Sequence, residues 1–293
     1  MNRHNISAVL ILLLILLPAG FALASNGAVF LNIPNGSRET AMGETGVSHA
    51  SGAAALWWNP ALLSFETSQV EFQLFRWIAD GKGSFGALKA RTSWGGLGAS
   101  YFVHGMDGFE VRDRPGSPQS VFSVHESVFS AGTAISLLKK ASAGMVLKTT
   151  CENIYGSTLC IYAIDIGTSW KYSDNLALGL NLANVELGDH SQESLPETIR
   201  GGLSGTYHFT DFDLLASLEG SSIKNEKEHL HVGIEAAWQK TLFFRTGFMT
   251  GYDSHNYSMG LGIALRSYSA DFSVTPYTNS LGTVWRIGFG MEI

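Results

Sequence analysis

From Tyr257 to Arg266 the chain alternates without a break. Tyr257, Met259, Leu261, Ile263 and Leu265 lie on one side, and Ser258, Gly260, Gly262, Ala264 and Arg266 lie on the other. A period of two is the signature of a strand, because successive side chains point to opposite faces. The same pattern recurs in Leu230, Val232, Ile234, Ala236 and Trp238 against His229, His231, Gly233, Glu235 and Ala237. It returns in Trp285, Ile287, Phe289, Met291 and Ile293 against Arg286, Gly288, Gly290 and Glu292, and in Leu176, Leu178, Leu180 and Leu182 against Ala177, Gly179, Asn181 and Ala183. One face is large and apolar; the other is small, with isolated charges.

That combination constrains the fold strongly. A soluble β-sandwich also alternates, but its solvent face is rich in Lys, Glu and Thr, whereas only 15% of this chain is charged and 33 residues are Gly. If the apolar face meets lipid, every backbone N–H and C=O must be paired by closing the sheet on itself. The expected fold class is therefore all-β, a transmembrane antiparallel β-barrel. Alternating segments start near Gln69, Ser84, Gly96, Phe122, Ala141, Leu159, Asn175, Glu197, Phe212, His229, Thr241, Tyr257, Ala270 and Thr283, about fourteen strands joined as hairpins. Longer connections at Asp107 to Ser120, Gly188 to Pro196 and Ser221 to Glu228 are expected at the outer end. Trp77, Trp94, Trp170, Trp238 and Trp285 near strand ends suit aromatic girdles.

The N-terminus has a different texture. Arg3 and His4, an apolar run from Ala8 to Leu17 and Ala22-Leu23-Ala24 have the three parts of a cleavable export signal over residues 1–24. After it no run of 18 apolar residues recurs, so spans are expected as strands and not helices. Residues 25–66 are rich in small side chains and do not alternate. Asn59 followed by Pro60 makes an N-cap and first-turn pair for a short helix through Ala61, Leu62 and Leu63. This stretch is read as a hatch or plug, with Trp58, Asn59, Pro60 and Ala61 as its core, and residues 67–293 as the barrel.

Phe30 to Arg38, Ala41-Met-Gly43 and Trp57-Trp-Asn-Pro-Ala61 resemble the N-terminal signature of the PorV/PorQ family of outer-membrane proteins, relatives of FadL-type transporters. Ala163 to Gly167, Leu195 to Leu203, His231 to Glu235, Phe244 to Gly247 and Tyr257 to Gly262 continue the resemblance in order along the chain. It implies a barrel of fourteen strands with an N-terminal hatch, located in the outer membrane. It also implies a role in type IX-like protein secretion or transport, with secretion components and exported cargo as partners. The alternative is a hatch-gated uptake channel for long-chain fatty acids or other hydrophobic compounds. The last residue, Ile293, departs from the terminal Phe that many barrels carry.

Arg200, Glu235, Arg245, Arg266 and Arg286, with Glu292, are expected on inward faces, as a salt-bridge network that fills the lumen and holds the hatch. Cys151 and Cys160 flank a hairpin turn in an exported protein and are a candidate disulfide. His229 and His231, two apart on one face, are a poor metal site without a third ligand, and no metal or cofactor is expected. Pro276 removes a ladder hydrogen bond, marking either a lateral opening or a strand end. A net charge of −6 without long runs of one sign leaves no footprint for nucleic acid. No catalytic motif is found: the Gly-x-Gly pieces lie within strands with no helix after them, so the chain is not read as an enzyme.

Overall fold

A computed structural model describes residues 27–188 and 194–293. The export signal expected at 1–24 lies outside them. The strands are β1 (Gln69–Arg76), β2 (Lys82–Arg91), β3 (Gly95–Val111), β4 (Ser120–Leu138), β5 (Ala141–Ile154), β6 (Ser157–Lys171) and β7 (Leu176–Leu187). They continue with β8 (Thr198–His208), β9 (Phe212–Ile223), β10 (Glu228–Trp238), β11 (Leu242–Thr250), β12 (Tyr257–Leu265), β13 (Tyr268–Pro276) and β14 (Thr283–Glu292). Each pairs antiparallel with its neighbours in sequence. β1 then pairs with β14 from Gln69↔Glu292 to Arg76↔Trp285, which closes the barrel.

Burial is inverted relative to a soluble protein. Met259 and Leu261 are 47% and 54% exposed while Ser258 between their neighbours is fully buried. Phe72, Phe129, Leu147, Tyr162, Ile234 and Phe289 are likewise exposed on the outside. Inside, the strands present Ser, Gly, His and isolated charges to a chain segment that fills the lumen. This is the architecture of an outer-membrane β-barrel.

The two ends differ. The C-terminus and the connections at Thr92–Ser93, Lys139–Lys140, Gln239–Lys240 and Arg266–Ser267 mark a turn end, ringed by exposed Trp94, Trp170, Tyr207, Trp238 and Tyr268. The three longer connections all lie at the opposite, loop end, which the usual barrel arrangement places outside the cell. There the first and third of them are shorter than the sequence suggests: β9 runs to Ile223 and β10 starts at Glu228, so the third is only residues 224–227. β3 continues through a bulge between Met106 and Phe109 as far as Val111, so only residues 112–119 form the loop.

β3 to β6 have 17, 19, 14 and 15 residues. They outrun β2 and β7, and so project beyond the rim at the loop end. Cys151 and Cys160 sit opposite each other on this projection and are bonded. Of the tryptophans expected in girdles, Trp77 turns inward against the apolar lumen cluster of Phe75, Phe85 and Phe102. Pro276 pairs with Thr283 as the last residue of β13, so it marks a strand end and opens no gap.

Residues 27–66 wind through the lumen. Short 3-10 turns at Val29–Asn32, Gly52–Ala54 and Pro60–Ser64 alternate with helix α1 (Ser37–Ala41) and helix α2 (Ala55–Trp58). Asn59 caps the last turn as expected: its side-chain oxygen accepts from the Ala61 N–H at 3.1 Å, with Pro60 in first position.

Candidate functional site

The hatch is seated backbone against backbone. A Cβ added at Gly247 would fall 2.0 Å from the Gly43 nitrogen, one at Gly179 2.0 Å from the Val47 carbonyl oxygen, and one at Gly144 2.4 Å from the Pro60 carbonyl carbon. Many of the small lumen-facing residues seen in the sequence are therefore the imprint of the hatch, where only hydrogen leaves room. Asn59 completes the seat. Its amide nitrogen donates to the carbonyls of Val47 at 2.7 Å and of Thr168 on β6 at 3.0 Å. Trp58 is buried, and its indole N–H donates to the Asn35 carbonyl at 2.7 Å. Ser142 on β5 donates to the Ala61 carbonyl at 2.9 Å.

Charge pairs tie the hatch to the wall. Arg38 grips Glu235 on β10 with two hydrogen bonds of 2.8 Å, and Arg245 on β11 reaches the same carboxylate at 2.6 Å and Asp271 on β13 at 2.5 Å. On β9 the Glu219 carboxylate accepts from the N–H groups of Gly46 and Val47 at 2.8 and 3.0 Å, with Arg200 beside it at 3.4 Å. Arg200 also lies 5.0 Å over the Trp58 ring. Arg286 is fully buried on β14.

Arg266 does not join them. β12 ends at Leu265, and Arg266 enters the two-residue turn with a left-handed backbone, φ 57°, which carries its side chain to the exposed turn end. Glu292 has inward parity but lies exposed at the same rim.

Some residues of the seat escaped the sequence reading. Arg38, Glu219, and the buried pair Lys148–Asp165, 2.6 Å apart, carry no motif. The available signal was an isolated charge at an inward parity position, as at Lys148, Asp165 and Glu219. The Lys148–Asp165 pair secures a bulge in β7, where Asn184 takes φ 59° and its N–H donates to Asp165 at 2.8 Å.

Within the hatch, burial pushes the Glu39 carboxyl up to about 7 against the pull of Arg38. Burial would also raise Glu44, but its contact with His255 at 3.5 Å, together with the nearby His231 and Arg286, outweighs that and holds it at about 2.

Two cavities lie either side of the hatch. The turn-end cavity, about 380 Å³, is lined by Arg38, Glu39, Glu71, Glu235, Arg245 and Asp271 and is polar. The loop-end cavity, about 420 Å³, is lined by Val29, Phe30, Ile33, Trp77, Ile78, Met106 and Ile223, with Glu44, Glu126, Glu226, His104, His255 and Arg200 among its polar groups. Both fall in the ~300–1,000 Å³ range of small-molecule sites.

Tyr252, His255 and Tyr277 stack along one wall of the loop-end cavity, with centroids 4.4 and 4.5 Å apart, and Trp77 meets Tyr277 at 5.8 Å. Above it, the inward face of the projecting strands carries Phe109 stacked on Phe122 at 5.3 Å, then Tyr155 against Phe122 at 5.5 Å. Ile154 and Leu159 lie on that face too, and both are exposed. This apolar ramp descends to Met106 at the cavity. His229 and His231 lie 6.4 Å apart behind Tyr252, and among the described residues no group of three His, Cys, Asp or Glu is placed to hold a metal.

No protein-family model matches the chain, and no curated protein matches it. Among solved structures it is similar to the CymD monoaromatic hydrocarbon channel, with a TM-score of 0.65 at 12% identity, over 92% of this chain and 99% of that one. It is also similar to the TodX deltaS2S3 mutant monoaromatic hydrocarbon channel, with a TM-score of 0.63 at 13% identity, over 93% and 100%. The Pseudomonas putida toluene transporter TodX aligns with a TM-score of 0.60 at 14% identity, over 91% and 97%. At these identities the likeness establishes the fold: a closed barrel of fourteen strands of the outer-membrane type.

Proposed function

We propose that this chain is an outer-membrane channel for the uptake of small hydrophobic molecules. The observation that carries the reading is the apolar ramp of Phe109, Phe122, Ile154 and Leu159 leading into a cavity lined by Val29, Phe30, Ile33 and Trp77. Apolar surface left exposed above a lumen gains free energy by taking up apolar solute, at roughly 25 cal/mol per Å² removed from water. The hatch then stands between that solute and the turn-end cavity. The channels similar in fold are named for monoaromatic hydrocarbons, which supports the same class of solute. The cargo-receiving secretion role expected from the PorV/PorQ resemblance gains no such support, because the similar structures are named as hydrocarbon channels and transporters.

The test is a fluorescence titration on a variant that keeps Trp77 as its one tryptophan. Toluene or a medium-chain fatty acid is expected to change Trp77 emission saturably. Ile33→Asp, which sets a charge in the apolar lining, is expected to weaken that response about tenfold or more. A linear response that is the same in both proteins would be partition into detergent or lipid, and would sink the reading.

A further inference from the structure

Helix α1 lies between the two cavities: Pro34 and Glu44, on either side of it, line the loop-end cavity, and Ser37 and Glu39 within it line the turn-end one. It is bounded by Gly36 and Gly43, with φ of 88° and 70°, backbone states that glycine adopts without a Cβ penalty. Apart from the Arg38–Glu235 pair and the close backbone seat of Met42 and Gly43 against Gly233 and Gly247, its ties to the wall are neutral hydrogen bonds. Ser37 donates to Gln73 on β1 at 3.2 Å, Thr40 meets Ser273 on β13 at 2.9 Å, Ser258 on β12 accepts from the Gly43 N–H at 2.9 Å and donates to the Ala41 carbonyl at 3.1 Å, and His231 on β10 lies 2.8 Å from the Gly43 carbonyl.

The wall at this height holds an unusual group. Arg286, 1% exposed, lies 5.8 and 5.4 Å over the rings of Phe75 and Trp77; among the described residues it makes no salt bridge, its Nε and Nη2 have no hydrogen-bond acceptor, and Glu44 and Tyr277 act on it only from beyond contact distance. A guanidinium remains charged in a protein, and a buried charge whose counter-charge stands beyond hydrogen-bond distance is costly. Gln73, diagonal to Arg286 across the β1–β14 pairing, also has an unpaired buried Nε2. Polar valence left unspent along one seam suits a surface that is wetted or meets an anion in use.

We propose that α1 is the gate of this channel and Arg286 its selectivity residue. When the segment between Gly36 and Gly43 withdraws, the cavities join along β13, β14 and β1, past a cation that favours anionic over cationic solutes. The inference rests on the reading of the chain as a channel. It adds that only α1 moves, while the Asn59 core stays wedged.

The test is conductance in planar bilayers under a KCl gradient, in a Cys151→Ser, Cys160→Ser background, with folding checked by heat-modifiable gel mobility. The parent is expected to open briefly, with a reversal potential of anion sign, and Arg286→Gln to lose that preference. Oxidised Thr40→Cys/Ser273→Cys is expected to lose its openings and to regain them on reduction. Ala61→Cys/Ser142→Cys, which pins the core, is expected to open whether oxidised or reduced.

Openings that persist in oxidised Thr40→Cys/Ser273→Cys, an unchanged selectivity in Arg286→Gln, or a parent that never opens would overturn the proposal. The Trp77 titration separates the two ideas. Saturable solute binding with a gate that cannot be locked sinks only the gate, and a lockable gate without solute binding sinks only the hydrophobic-uptake reading.

Discussion

Gly247→Val is expected to unseat the hatch while leaving the barrel closed. The Cβ of any residue at 247 falls 2.0 Å from the nitrogen and 2.3 Å from the Cα of Gly43. Both are backbone atoms, so no rotamer change relieves the clash. Overpacking costs about 1–3 kcal/mol where side chains can shift, and more is expected where main chain meets main chain. The ladder between β11 and its neighbours does not depend on the lumen contents, so the strain falls on the hatch. Limited proteolysis should cut Gly247→Val within residues 27–66 under conditions that leave the parent intact, with heat-modifiable mobility retained. Gly220→Val is the control, because nothing lies within 4 Å of a Cβ there. If both variants resist protease like the parent, the hatch is not held by backbone contact.

The second large effect is expected at Glu235. Its carboxylate is shared by Arg38 of the hatch and Arg245 of the wall. Glu235→Gln keeps the shape and removes the charge, leaving two guanidiniums side by side with Asp271 and the more distant Glu39, 3.7 Å from Arg38, as counter-charges. Removing one partner of a buried ion pair costs about 3–5 kcal/mol. That corresponds to about a hundredfold or greater loss of protection if the cost is borne by undocking of α1. Hydrogen exchange of residues 37–50 is the measurement. Unchanged protection there would mean that the glycine seat alone holds the hatch and that the ion pairs contribute little.

What was legible in the sequence follows the physics of the bilayer. Where strands meet lipid, outward residues must be apolar, so period two was strong, and β1, β9, β12 and β14 begin at the residues expected, Gln69, Phe212, Tyr257 and Thr283. Where β3 and β4 leave the bilayer the constraint lapses. Asp107 and Glu110 are exposed on a strand that reads as a loop. Arg266 continued the alternation of β12 but had to turn, since β13 starts only two residues later, at Tyr268.

The hatch announced itself by the lack of alternation and by the cap of Asn59 on its short turn. Its seat did not, because Arg38 meets Glu235 across 197 residues and Gly46 meets Glu219 across 173. Contacts of that range leave only isolated inward charges and small residues in the sequence. That Arg286 forms no salt bridge can be known only from the structure.

The claim beneath all of this is that the large apolar face meets lipid and the hatch fills the inside. Quenching by brominated phospholipids tests it directly, in variants that keep one tryptophan each. Trp170, Trp238 and Trp285, exposed on the outer face, are expected to be quenched by bromine placed high on the acyl chain, and Trp58, buried in the hatch, is expected to be spared. Strong quenching of Trp58, or none at the three outer tryptophans, would contradict the account.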